Sequence, residues 1–107
     1  MWQTVVLAFL AGVMGVNAFP HFAKGMMGEE FPNVLGNAPV RNALAGAFGL
    51  IMAVLLGYWA DLPAHWWPGF AALCTGGMIM TVFHGLRGAF RWNESLGRAN
   101  PVPAPVR

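Results

Sequence analysis

Residues 2–19 read WQTVVLAFLAGVMGVNAF, a stretch without a charge in which Gln3, Thr4 and Asn17 are the polar positions. A bilayer core is crossed by a helix of about 20 mostly apolar residues, so this stretch has the length and character of a membrane span. The whole chain agrees with that solvent. Hydrophobic residues make up 57% of its 107 positions and charged residues only 9%, where a soluble domain carries roughly a quarter charged residues. So few charges cannot cover a small water-soluble fold.

Two further stretches have the same character, from about Val40 to Trp59 and from about Trp66 to Gly88. In lipid the backbone groups of a span have to be paired within it, so all three are expected as helices. The fold class that follows is an all-α integral membrane protein: residues 1–98 form one three-helix transmembrane domain, with spans at about 2–19, 40–59 and 66–88. The third helix is expected to run past the membrane to about Glu94, and residues 99–107 form a proline-rich cytoplasmic tail. Such a tail favours an extended, polyproline-II-like state, and a disordered end is the default for a terminus. Asn37 is placed to cap the second helix, with Pro39 in its first turn.

Charge sets the orientation. With three spans, the 20–39 connection and the tail share one side, and all six cations (Lys24, Arg41, Arg87, Arg91, Arg98 and Arg107) fall there. The positive-inside bias puts that side in the cytoplasm, with the N-terminus out and the C-terminus in. Trp2, Tyr58, Trp59, Trp66 and Trp67 collect at the other end as an interfacial aromatic belt. Val16-Asn17-Ala18 has the small-residue look of a signal cleavage site, but Met1-Trp2-Gln3-Thr4 lacks a basic n-region, so an uncleaved first span is expected. The net charge of +2 is too small and dispersed for a nucleic-acid partner. Cys74 is the single cysteine and has no internal partner for a disulfide.

Membrane helices associate through small residues that let backbones approach. Ala8, Ala11, Gly12 and Gly15 share a face of the first span. Asn42, Gly46, Gly49, Ala53 and Gly57 run along the second, and Gly77, Thr81, His84 and Gly88 along the third, where Arg91 continues the line. Gly12, Gly15, Gly46, Gly49, Gly57 and Gly77 are the expected packing positions.

The cytoplasmic ends of the spans bring Asn17, His21, Asn42 and His84 to a similar depth, with Glu29 and Glu30 as further members of a candidate functional cluster. Ionisable groups at membrane depth are candidate functional residues. His21 and His84 could ligate a divalent metal or bracket a haem, yet two histidines without further ligands fall short of a usual metal set, so no cofactor is expected. Phe19, Phe22, Ala23, Met26 and Met27 suit one face of a short interfacial helix, and Glu29 and Glu30 could pair with Arg41 or Arg87.

The pattern Asn17-x-x-Pro20-His21-Phe22-x-x-Gly25-x-x-Gly28-x-x-Phe31-Pro32, followed by Val40-x-Asn42 at the second span, resembles that of a family of small uncharacterised bacterial integral membrane proteins. The resemblance covers most of the chain before the proline tail. It implies that His21 and the two glycines belong to a shared feature, and it implies no reaction; taken with the charge bias, the expected location is a bacterial inner membrane. The expected function is that of a small non-catalytic accessory or scaffold subunit of a larger respiratory, photosynthetic or transport-type complex. Its partners would then be the lipid bilayer, other membrane subunits and, in one arrangement, further copies of the chain. The alternatives are a membrane ligand-binding protein that holds a metal or haem through His21 and His84, and a small homo-oligomeric transporter.

Overall fold

Lipid leaves a spanning segment no external partner for its N–H and C=O groups, and all three apolar stretches are helical. The computed structural model describes residues 1–102. Helix α1 (Trp2–Met26) is followed by α2 (Pro39–Trp59), a short 3-10 turn (Leu62–His65), α3 (Trp66–Gly85) and α4 (Gly88–Ser95). The three long helical segments, Trp2–Met26, Pro39–Trp59 and Leu62–Gly85, are each long and apolar enough to cross a membrane.

Helix α1 is longer than the expected 2–19 span. It runs through Pro20 to Met26, although the proline ring removes the bond to the carbonyl one turn earlier. Losing one bond costs less than unwinding a turn at the edge of the apolar layer, where every freed group would need a partner. Twenty-five residues span about 37 Å, against a hydrocarbon core of about 30 Å. The separate interfacial helix expected around Phe19–Met27 is therefore the last turns of α1. The helix stops in a left-handed glycine cap: Gly28 has φ +71°, and the N–H of Glu29 returns to the Lys24 carbonyl at 2.9 Å, the 6→1 bond of a Schellman motif.

Two other boundaries also differ. Asn37 does not cap α2. The N-cap is Ala38, with Pro39 in the first turn, and the Asn37 side chain is used elsewhere. The third span does not continue to Glu94, because Arg87 takes a left-handed conformation (φ 61°) that ends α3 and turns the chain into α4. Gly88 makes the turn tight: a Cβ there would come within 2.6 Å of the Phe83 carbonyl oxygen.

Helix α1 is the middle element. Both α2 and α3 pack along it, while among the described residues α2 and α3 scarcely meet. On the α3 side, Gly12 lies against the backbone of Leu73 and Gly77, and Gly76 against the backbone of Phe9 and Val13. On the α2 side, Gly46 lies on Phe22, Gly49 on Ala18, and Gly25 on Ala43 and Pro39. A Cβ at Gly15 would stand 3.4 Å from that of Ala53, and one at Gly77 would stand 3.2 Å from a Val16 methyl. Gly57 is not a packing position within the chain, since a Cβ there meets nothing within 4 Å among the described residues. The spacing from Asn42 to Gly57 drifts by about 60° around a helix of 3.6 residues per turn, enough to carry Gly57 off the contact line.

The buried apolar residues are alanines (Ala8, Ala11, Ala18, Ala60 and Ala89), and the largest fully buried side chains are Asn42, Asn93 and Pro32. Phe48, Ile51, Val54, Met78 and Val82 point outward, as side chains solvated by lipid should. Close backbone approach, with a few buried amides, holds the helices together. Trp2, Tyr58, Trp59, Trp66 and Trp67 are all exposed and lie at the end of the molecule formed by the start of α1, the end of α2 and the start of α3.

Candidate functional site

At the opposite end the 27–38 connection, α4 and the start of the tail fold over the helix ends. The connection is shaped by its own amides. Asn33 accepts the Leu35 N–H on Oδ1 at 3.1 Å, and the Gly36 N–H reaches the Asn33 carbonyl at 2.9 Å. Gly36, at φ +114°, leaves room for the Arg41 side chain, which a Cβ would strike at 2.6 Å. Arg41 then donates to the Leu35 carbonyl at 2.9 Å.

Asn42 is the hub, fully buried near the start of α2. Its Nδ2 faces the carbonyl oxygens of Phe31, Asn37 and Ala38 at 2.8, 3.0 and 3.2 Å. Carbonyls only accept, so the amide orientation is fixed and Oδ1 points the other way. There it meets His21 Nδ1 at 2.7 Å and Asn33 Nδ2 at 3.4 Å. His21 Nδ1 is therefore the protonated nitrogen that donates, and in the neutral ring Nε2 carries the lone pair. His84, on α3, places Nε2 3.0 Å from Asn17 Oδ1 on α1, while its Nδ1 is buried without a partner among the described residues.

The two imidazoles are neighbours, with ring centroids 5.9 Å apart at 78°. Phe31 stands edge-on to His21 at 5.1 Å and lies 6.1 Å from His84. Phe83 packs edge-on to His84 at 5.1 Å, and Phe90 edge-on to Phe31 at 5.6 Å. Such edge-to-face pairs favour one fixed arrangement over a loose hydrophobic cluster.

Beside the pair runs a cleft of about 370 Å³, within the size range of small-molecule sites. Its polar lining is Asn17, His21, Asn33, His84 and Asn93, and Val13, Met80 and Phe83 are among its apolar lining. Asn93 is almost fully buried. Its Nδ2 donates to Asn37 Oδ1 at 3.0 Å, and Asn37 Nδ2 donates to the Ala99 carbonyl at 2.7 Å. That chain fixes both amides and leaves Asn93 Oδ1 buried and unpartnered among the described residues.

The structure thus brings Asn17, His21, Asn42 and His84 together. Glu29 and Glu30 lie outside the group. Glu29 pairs with Lys24 at 2.6 Å, with both side chains nearly half exposed, so the pair adds little; Glu30 is exposed. Neither takes Arg41 or Arg87 as a partner: Arg41 holds the Leu35 carbonyl and Arg87 sits over the Phe90 ring at 4.2 Å. Phe31, Asn33, Asn37, Asn93 and Trp92 complete the site and were not singled out from the sequence as site residues. Their pairings span 56 or more positions in the case of Asn37 with Asn93 and Ala99, and no local period announces them. The recurrence of asparagine at helix ends was the one available signal.

Among the described residues no group of three or more His, Cys, Asp or Glu is arranged to hold a metal. In this arrangement one nitrogen of each imidazole is engaged by an asparagine and His84 Nδ1 is sealed, so the two rings do not present a pair of open nitrogens to one ion. The tail begins as an ordered strap. Arg98 donates to the Val34 carbonyl, and Asn100 Nδ2 reaches the Phe90 carbonyl at 3.3 Å and Glu94 at 3.0 Å. Positions 103–107, the rest of the proline-rich stretch, lie outside the described residues.

No protein-family model, no curated protein and no solved structure matches the chain.

Proposed function

We propose that the chain is a multi-pass membrane protein that binds a small molecule in the cleft beside His21 and His84. The observation that carries this reading is the cleft itself: about 370 Å³, lined by imidazole and amide groups together with apolar side chains. A few fixed polar groups set in an apolar concavity are what a small-ligand site requires. The cleft reaches from Val13 to His21 along α1, a rise of about 12 Å, so its apolar part extends toward the membrane interior. The test is to purify the full chain from its native membrane in mild detergent and identify bound small molecules by mass spectrometry. A ligand retained by the wild type and lost on His21→Leu/His84→Leu supports the reading, and a wild type that carries none beyond bulk lipid counts against it.

A second reading, the accessory subunit, is favoured by a separate groove of about 430 Å³ between α1 and α3, floored by Gly15, Cys74, Gly77 and Thr81. Small residues at a lipid-facing groove admit a further transmembrane helix. Co-purification of a stoichiometric polypeptide supports it, and a lone monomer under mild conditions argues against it. In either reading we place the chain in a bacterial inner membrane with the cationic end in the cytoplasm. Support comes from the single-sided distribution of its lysine and arginines and from the resemblance of the Asn17–Pro32 pattern.

A further inference from the structure

The hydrogen-bond inventory of the cleft is uneven in a way that constrains what can fill it. The amide of Asn42 is fixed by three carbonyls, so His21 must donate from Nδ1 and keep an acceptor at Nε2. That nitrogen makes no hydrogen bond among the described residues and, unlike His84 Nδ1, is not sealed. The amide of Asn93 is fixed through Asn37 and the Ala99 carbonyl, and its Oδ1 is as sealed as His84 Nδ1. One open acceptor, His21 Nε2, with its tautomer set through Asn42 by three backbone carbonyls, therefore belongs to the cleft lining. A ligand that covers this acceptor without a donor leaves it unpaired at a cost, and a ligand that supplies a donor avoids that cost.

Charge narrows the class further. The described lining contains no Asp, Glu, Lys or Arg. An ionic headgroup would be desolvated there without a counter-charge, which a neutral one avoids. The remaining lining, Val13, Met80 and Phe83, is suited to an alkyl chain or an aromatic ring. We propose that the cleft takes a neutral amphiphile whose polar end bears a hydroxyl group that donates to His21 Nε2. This rests on the binding reading above. The shared chemistry has two sources in a membrane, a hydroquinone-type ring dissolved in the bilayer or the glycerol end of a diacylglycerol-type lipid.

The experiment uses the full chain in phosphatidylcholine nanodiscs, with dissociation constants read by native mass spectrometry. The probes are decylhydroquinone and 1,2-dioctanoylglycerol, each compared with its O-methylated counterpart. At least one hydroxyl form binds saturably, its methylated counterpart binds about tenfold or more weakly because a fixed acceptor is left unpaired, and His21→Phe lowers the hydroxyl form to the methylated level. Which hydroxyl form binds separates the ring from the lipid headgroup. Failure of both hydroxyl forms to bind overturns the proposal. Equal binding of a hydroxyl form and its ether, lost on Val34→Trp at the cleft mouth, overturns the hydroxyl class and leaves the cleft as a binding site. Equal binding that Val34→Trp and His21→Phe both leave unchanged overturns the cleft reading as well. A second measurement needs no substitution: side-chain nitrogen NMR of the wild type finds neutral His21 protonated at Nδ1. A ring protonated at Nε2 overturns the proposal directly.

Discussion

His21 Nδ1 stands 2.7 Å from Asn42 Oδ1, joining the last turns of α1 to the first turn of α2. Because the other end of the same amide faces three backbone carbonyls, one side chain sets the path of the 27–38 connection and the tautomer of the histidine together. Replacing it by an apolar residue of the same branched shape removes those roles. In Asn42→Leu the Phe31 carbonyl, the His21 Nδ1–H and the Asn33 amide lose this partner, whereas Ala38 keeps its bond from the Asn42 backbone N–H. The expected loss is about 2–4 kcal/mol, from unpaired groups at about 1–3 kcal/mol each with partial relief by water at the interface. Thermal unfolding in detergent checks it, and an unchanged midpoint would mean the network contributes no net stability.

Glycine contacts make an internal contrast. A Cβ at Gly46 would collide with the backbone of Phe22, while one at Gly57 meets nothing within 4 Å among the described residues. Gly46→Ala is expected to push α2 off α1 and destabilise by about 1–3 kcal/mol, the range for overpacking. Gly57→Ala should instead stabilise by about 0.5–1 kcal/mol, because alanine loses less backbone entropy in a helix. Denaturation in mixed micelles distinguishes the two, and opposite signs are the required result.

The tail strap yields a proteolytic prediction. Asn37 holds the Ala99 carbonyl and Asn93 together, so Asn37→Ala releases the chain beyond α4 from the connection. Trypsin should then cut after Arg98 several-fold faster than in the wild type, with unfolding of the membrane helices little affected, since local opening tracks local contacts. Equal cutting rates would show that the strap is already open in solution.

Orientation is tested by fusion. A reporter active only in the cytoplasm should work at the C-terminus, and one active only outside it should work in the turn near Asp61. The reverse pattern would place the cationic end outside and remove the support from charge.

The three spans were legible because solvent dictates them: a stretch of apolar residues long enough to cross a bilayer has one stable backbone form there. The grouping of Asn17, His21, Asn42 and His84 was legible as shared depth, which follows from span ends alone. Boundaries were misread where a local signal was weaker than its surroundings. Pro20 did not stop α1, and Asn37 was drawn from capping into the Asn93 bridge. The rest of the site was hidden for a different reason. Phe31, Asn33, Asn93 and the tail meet only because Arg87 turns α4 back over the helix ends, and a left-handed arginine leaves no mark in composition or period. Glu29 and Glu30 looked eligible on charge, but the Gly28 cap points them away from the helix ends.

The middle position of α1 has a consequence for how the protein is made. A chain is synthesised from its N-terminus, so α1 enters the membrane first and must wait there with both of its glycine-lined flanks uncovered. Helix α2 covers one flank early, but the other stays bare until α3 emerges. The imidazole pair forms only when α3 packs on α1, and its roof closes only when residues near Ala99 have left the ribosome. A nascent or truncated chain therefore has membrane helices but no cleft, and ligand occupancy would report completed assembly of the whole chain.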